Sequence, residues 1–223
     1  MRRALVVDLF STLIPGGHVE REVVHREMAH LLGVEPEAFA GAFEATAYER
    51  FTGVYGDLPS TLREIARRSG GQPSDDQVRR ATELRRALAR QLIGAVPAST
   101  LSALAALRAL GWRTGLVSNI TSETQLQWPD SALSPYFEVT AFSAEVGVAK
   151  PEAAIYLAAC EGLGVAPTEC VYVADGSDNE LSGAAALGMH AIRTTEHANS
   201  DPAWDGPTIS SFAELPALLG API

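Results

Sequence analysis

The chain has 223 residues, 47% of them hydrophobic and 20% charged, with a formal charge of −10. That balance excludes a disordered or fibrous chain and leaves ample length for a buried core. Such acidity also argues against nucleic acid or an anionic membrane as a partner held by bulk charge.

In chain order, ALVVDL (4–9) is a short apolar, β-rich run, and TGLVSN (114–119), EVTAFS (138–143), CVYVAD (170–175) and MHAIRT (189–194) share its style. Segments with helical spacing stand between them, at 99–110, 151–162 and 178–187. Short buried strands alternating with helices predict an α/β fold, a doubly wound parallel sheet covered on both faces. Residues 18–92 hold no comparable strand. They read as amphipathic helices over about 19–32, 36–52, 59–69 and 75–92, broken at glycines and prolines such as Gly33, Pro36, Gly53 and Pro59. The expected organisation is an α/β core of residues 1–14 and 93–223, interrupted by an all-helical cap of residues 15–92. The stretch 197–210 reads as a turn-rich loop before a last helix at 211–219.

No 18-residue apolar window occurs, so no membrane helix is expected, and MRRALVVDLF turns acidic too soon for a signal peptide. Cys160 and Cys170 sit in apolar surroundings and supply no disulfide framework, which fits a reduced, cytoplasmic setting. No feature of the sequence specifies an oligomeric state.

Charge divides unevenly. Residues 15–92 carry eleven basic and twelve acidic residues, whereas the remainder carries six and fifteen. An Arg-rich insert could face an anionic substrate across an acidic core. Alternatively, Arg63, Arg67, Arg79, Arg80, Arg85, Arg86 and Arg90 lie on solvated helix faces and pair with Glu64, Asp75, Asp76 and Glu83. Tyr48, Arg50, Phe51 and Tyr55 form an aromatic and basic cluster that could line the inner face of the insert or simply pack within it. Sixteen of the seventeen basic residues are arginine, and the single lysine is Lys150.

In open α/β sheets, functional groups gather just past the carboxyl ends of the strands. Four such ends here bear reactive side chains: Asp8 with Ser11 and Thr12, Ser118 with Asn119, Lys150 before Pro151, and Asp175 with Asp178 and Glu180 close behind. In this order and with an insert after the first, these segments resemble the signature motifs of the haloacid dehalogenase (HAD) superfamily of hydrolases. The resemblance covers nearly the whole chain.

It implies that Asp8 is a nucleophile forming a covalent aspartyl intermediate, a role open to a carboxylate held beside a cation. It implies that Thr12 is the family's threonine after the nucleophile, and that Ser118 holds a substrate oxygen with Asn119 beside it. Lys150 would balance the charge of Asp8 and a bound anion. Asp175, a carboxylate oxygen of Asp8 and the carbonyl of Phe10 would hold Mg²⁺, which favours oxygen ligands. Glu180, where the family usually has Asp, would reach that ion directly, through water, or not at all. Its spacing from Ser177 also fits a capping box. With Asp8, Asp175 and Glu180 against Lys150 alone, a divalent cation brings the site to neutrality before a phosphate dianion enters.

One departure stands out. The family's phosphatases carry a general acid–base Asp where Phe10 stands here, and Gly where Ser11 stands. The family's L-2-haloacid dehalogenases have an aromatic residue at that position and use no metal, but they lack the metal-binding Asp that Asp175 preserves. For such an enzyme Arg21, Arg26 and Arg50 are candidates to hold a substrate carboxylate. The reading the sequence supports best is a Mg²⁺-dependent HAD-type hydrolase, a phosphatase for a small anionic metabolite, with Arg50 among its substrate-binding residues. The alternatives are a carbon–halide hydrolase and a weakly catalytic ligand-binding protein.

Overall fold

Strand β1 (Ala4–Val7) has all four side chains fully buried, Leu5 and Val7 toward one apolar cluster and Ala4 and Val6 toward another. A run of β-branched and aliphatic residues buried on both faces requires neighbours on each side, and the chain supplies them as parallel strands flanked by helices. The computed structural model describes residues 4–220; residues 1–3 and 221–223, assigned above to the core, lie outside the described residues.

After β1 come five helices: α1 (His18–Leu32), α2 (Pro36–Ala45), α3 (Ala47–Phe51), α4 (Leu58–Arg68) and α5 (Asp75–Gly94). The chain continues through α6 (Ala98–Ala109), β2 (Arg113–Ser118), α7 (Ser122–Gln125), β3 (Val139–Phe142), α8 (Ser143–Val146) and α9 (Ala153–Leu163). It closes with β4 (Cys170–Ala174), α10 (Glu180–Ala186), β5 (His190–Thr194), β6 (Thr208–Ile209) and α11 (Leu215–Gly220). The six strands form one sheet in the order β3-β2-β1-β4-β5-β6, every pair parallel. This is the doubly wound topology the strand pattern predicts, and it places β1 and β4 side by side where the strand order reverses.

The helices α1, α2, α4 and α5 share a separate hydrophobic cluster around Met28, Leu32, Phe39, Leu62, Ile65 and Val78. The capping box at Ser74 and Gln77 starts α5, and Asp57 caps α4 by accepting from the Ser60 N–H. At Gly17 the chain enters α1 with φ +66°, and a Cβ there would fall 2.2 Å from Leu92 Cδ2 of the returning α5. Glycine is therefore needed twice over, for its dihedral and for the close crossing.

Three expectations differ from the fold. The helix anticipated over 36–52 is two helices, because Thr46 leaves helical geometry (φ −108°, ψ 15°) and its hydroxyl bonds back to the Ala42 carbonyl at 2.8 Å. The stretch 197–210 contains the short edge strand β6, too brief to leave a pattern. The capping box at Ser177 and Glu180 is absent, since Asp178 and Asn179 both adopt positive φ and Asn179, not Ser177, precedes α10. Among the described residues no single helix is long and apolar enough to cross a membrane.

Candidate active site

Asp8 follows β1 directly, and its N–H continues the ladder to the Val173 carbonyl (3.0 Å) before the chain turns away. The turn is tight: Leu13 and Ile14 both donate to the Leu9 carbonyl, and Ser11 is held at φ +62°. For a non-glycine residue that conformation costs about 1–2 kcal/mol, so the surrounding contacts must hold it. The turn keeps Asp8 almost fully buried and leaves Thr12 Oγ1 buried with no hydrogen-bond partner among the described residues. Phe10 is only partly buried, with the Arg21 guanidinium 4.6 Å over its ring.

The lysine arrives from the far side of the sheet order. Lys150 Nζ lies 2.5 Å from Asp8 Oδ1 and 2.5 Å from Glu180 Oε2, all three side chains at most 5% exposed. Asn119 fixes the lysine's backbone, accepting from Lys150 N (2.8 Å) and donating to Lys150 O (3.3 Å) and Asp178 Oδ2 (3.1 Å). Ser118 Oγ points at Asp8 Oδ1 at 3.4 Å. Glu180 is heavily engaged: Oε2 also accepts from the Tyr172 hydroxyl (2.7 Å), and Oε1 from Gly176 N (3.2 Å) and Ser177 Oγ (3.4 Å). Gly183 lets α10 approach this closely, because a Cβ there would meet the Pro151 carbonyl at 2.8 Å.

Asp175, beyond β4, is 1% exposed and accepts hydroxyls from Ser177 (3.1 Å) and Ser200. One carboxylate oxygen from each of Asp8, Asp175 and Glu180 lies within 4.8 Å of the others. Three buried carboxylates against one ammonium are an all-oxygen donor set with uncompensated negative charge, which suits a hard divalent cation.

Ionisation reflects this crowding. Burial raises the Asp8 carboxyl above its ordinary range despite Lys150, with Asp175 adding to the rise. Burial likewise pushes Glu180 up to about 8, against the pull of Lys150. Burial alone would lower Lys150, but Asp8 and Glu180 outweigh it and hold the ammonium above the usual lysine range.

A cavity of about 270 Å³ opens between the insert and the strand ends. Asp175, Ser177, Asn119, Phe10 and Ser11 line it from the sheet side, and Arg21, His25, Phe43, Arg50, Phe51 and Arg85 from the insert. Arg50 is 8% exposed, stacked 3.6 Å from the centre of the Phe43 ring, and donates to the Phe43 carbonyl. Arg26 instead pairs with Glu22 on the surface, and Tyr48 reaches Glu152 across the outside of the cavity.

The arginines of α4 and α5 divide. Arg63, Arg67 and Arg79 form the surface pairs expected with Asp75, Glu64 and Asp76. Arg85 does not belong to a solvated face: it is 4% exposed and bonds Glu123 beyond β2 (2.8 Å). The signal was present, because α5 buries Val78, Ala81, Thr82, Leu88 and Leu92, and Arg85 falls on that same stripe. Sequence reasoning also missed Glu123, His25 and Ser200, whose neighbours in sequence carry no motif.

A family model described as haloacid dehalogenase-like hydrolase matches residues 2–188. The chain belongs to this family of hydrolases. Among curated HAD-like relatives, it is 28% identical over 200 residues to the glyceraldehyde 3-phosphate phosphatase of Methanopyrus kandleri, covering 86% of this chain and 84% of that one. In fold it is similar to the 2-haloacid dehalogenase of Pseudomonas syringae pv. Tomato (TM-score 0.72, 20% identity, 99% of each chain). It is also similar to a HAD family enzyme of Bacteroides thetaiotaomicron in complex with magnesium and inorganic phosphate (TM-score 0.64, 23% identity, 87% of this chain and 95% of that one). The HAD-like fold is thus shared with phosphatases and dehalogenases alike.

Proposed function

We propose that this HAD-like hydrolase is a Mg²⁺-dependent phosphatase acting on a small phosphorylated metabolite, with residues 93–223 and 1–14 as catalytic core and residues 15–92 as its cap. The observation that carries this reading is the buried Asp175 carboxylate within 4.8 Å of Asp8, an acid that a metal-free carbon–halide hydrolase does not need. The relative named for glyceraldehyde 3-phosphate supports the same substrate class, and the neighbour holding magnesium and phosphate supports the ion.

In this mechanism a carboxylate oxygen of Asp8 attacks phosphorus, and the bond to the leaving oxygen breaks with its electron pair on that oxygen. Water then attacks the aspartyl phosphate at phosphorus, releasing inorganic phosphate and restoring Asp8. Lys150 holds Asp8 Oδ1 so that Oδ2 faces the substrate, and its charge opposes that of the incoming anion. Ser118 and Asn119 bind phosphoryl oxygens. Asp8, Asp175 and the Phe10 carbonyl would hold Mg²⁺, whose contribution is to neutralise phosphate charge. Glu180, already accepting from Lys150, Tyr172, Gly176 and Ser177, anchors the lysine and would add its carboxylate to the acidic set that attracts the ion. Phe10 cannot move a proton, a loss of about 10²–10⁴-fold for leaving groups that need one. Acyl and aryl phosphates, whose leaving groups are acidic, are therefore favoured.

The test is release of phosphate from p-nitrophenyl phosphate and acetyl phosphate with Mg²⁺ and with EDTA. Turnover that needs the metal and vanishes in Asp8→Asn supports the reading; equal rates in EDTA overturn it. Phe10 favours a second reading, carbon–halide hydrolysis. Halide release from 2-chloropropionate without metal, above the Asp8→Asn control, would establish that reading instead.

A further inference from the structure

We propose that Arg21, Arg50 and Arg85 form a second anion subsite, so that the substrate carries a carboxylate or second phosphate besides the phosphoryl group that reacts at Asp8. This rests on the phosphatase reading for the identity of the reacting group; the three guanidiniums of the subsite belong to the insert.

Three guanidiniums from three helices, α1, α3 and α5, converge on one wall of the cavity. Each is only partly engaged. Arg21 donates from Nε to the Gly16 carbonyl (2.8 Å), leaving both Nη groups without a partner among the described residues. Arg50 uses Nε and Nη2 on the Phe43 carbonyl, leaving Nη1. Arg85 gives Nε to Glu123 and Nη1 to His25 Nε2 (3.4 Å), leaving Nη2.

Among the described residues, Glu123 is the one acid that acts on these three charges. The remaining +2 is held against Phe10, Phe43 and Phe51, in surroundings where unmatched charge is expensive and an arriving anion is correspondingly favoured. The charges that shift Arg21 are Arg85 and Glu123, and those that shift Arg50 are Arg85, Glu123, Arg21 and the Tyr55 phenol. Those acting on Asp8 are Lys150 and Asp175. The cavity meets Asp175, Ser177 and Asn119 on its sheet side and the three guanidiniums on its insert side, one side for the reacting phosphoryl group and the other for a second anion. Planar guanidiniums with free Nη groups are suited to bind a carboxylate or phosphate in bidentate fashion.

The experiment uses 3- and 4-carboxyphenyl phosphate, their neutral methyl esters, and 1,4-phenylene bisphosphate, with Mg²⁺ present. Turnover by the native protein and calorimetric binding to Asp8→Asn are both measured. The expected result is a preference for the charged member of each pair on the order of 10–100-fold in kcat/KM and in binding. That ratio falls toward one in Arg21→Gln and in Arg50→Gln and is partly kept in Arg50→Lys, each checked by circular dichroism. A larger preference for the bisphosphate than for the carboxylates supports the subsite with phosphate as its anion. Equal treatment of charged and neutral members by both the native protein and Asp8→Asn overturns the subsite while leaving phosphatase activity established. If no ester is turned over yet the charged members still bind more tightly, the subsite stands and the phosphatase reading fails.

Discussion

Arg85 Nε lies 2.8 Å from Glu123 Oε1, with side chains 5% and 3% exposed, so the insert and the short helix α7 beyond β2 are joined by a buried ion pair. Removing one partner from such a pair leaves an uncompensated charge and costs about 3–5 kcal/mol. Arg85→Met is therefore expected to lose that amount in urea denaturation, and Arg85→Met with Glu123→Gln to recover part of it. A loss below about 1 kcal/mol in the single variant would contradict this.

Lys150 sits within 2.5 Å of two carboxylates in a space that admits a compact ammonium. A planar guanidinium cannot make the same two contacts without displacing Asp8 or Glu180. Lys150→Arg is expected to retain the native circular dichroism spectrum and to lose turnover by a factor on the order of 10²–10³, the scale for removing one preorganised charge-stabilising group. Turnover within a few-fold of native would refute the role.

The Tyr172 hydroxyl donates to Glu180 Oε2 at 2.7 Å inside the core, and burial pushes its own ionisation well above the ordinary range. Tyr172→Phe removes this bond and leaves the buried Glu180 carboxyl less satisfied. The expected loss is about 1–3 kcal/mol by denaturant titration. No measurable change would show that Glu180 is held by its other partners alone.

His25 is surrounded by Arg85, Arg21 and Arg50, and burial together with these cations lowers its pKa to about 3. In the unfolded chain its pKa is about 6.5. Between these values the unfolded state binds the proton and the native state does not, so this residue makes stability fall as pH drops from about 6.5 toward 3. His25→Gln should reduce the acid slope of stability against pH across that window. The change stays below about 1.4 kcal/mol per pH unit, since one proton is involved and the ring is only partly buried. Parallel slopes for the two proteins would exclude the effect.

Much of this was legible in the sequence, for a physical reason. Asp8, Ser118, Lys150 and Asp175 each follow a short apolar run or sit in the loop beyond one, and a parallel sheet delivers such strand ends to one edge. Less visible were groups whose place depends on how the insert folds back. Arg85 reads in sequence as one more solvated arginine, but it falls on the buried stripe of α5. Glu123 lies in the four-residue helix α7 and Ser200 in a loop, neither long enough for a period to reveal direction. Glu180 was read both as a helix cap and as a possible ligand, whereas the left-handed pair Asp178 and Asn179 turns it inward onto Lys150. A run of two positive-φ residues without glycine is not something composition discloses.

The proposed mechanism passes through a covalent phosphoryl group on Asp8. Mixing the native protein with acetyl phosphate and Mg²⁺, quenching with acid, reducing with borohydride and sequencing the peptide by mass spectrometry tests it directly. An aspartyl phosphate at Asp8 is reduced to homoserine at that position, and this is the result predicted. Phosphate release with Asp8 recovered as unmodified aspartate throughout would contradict it.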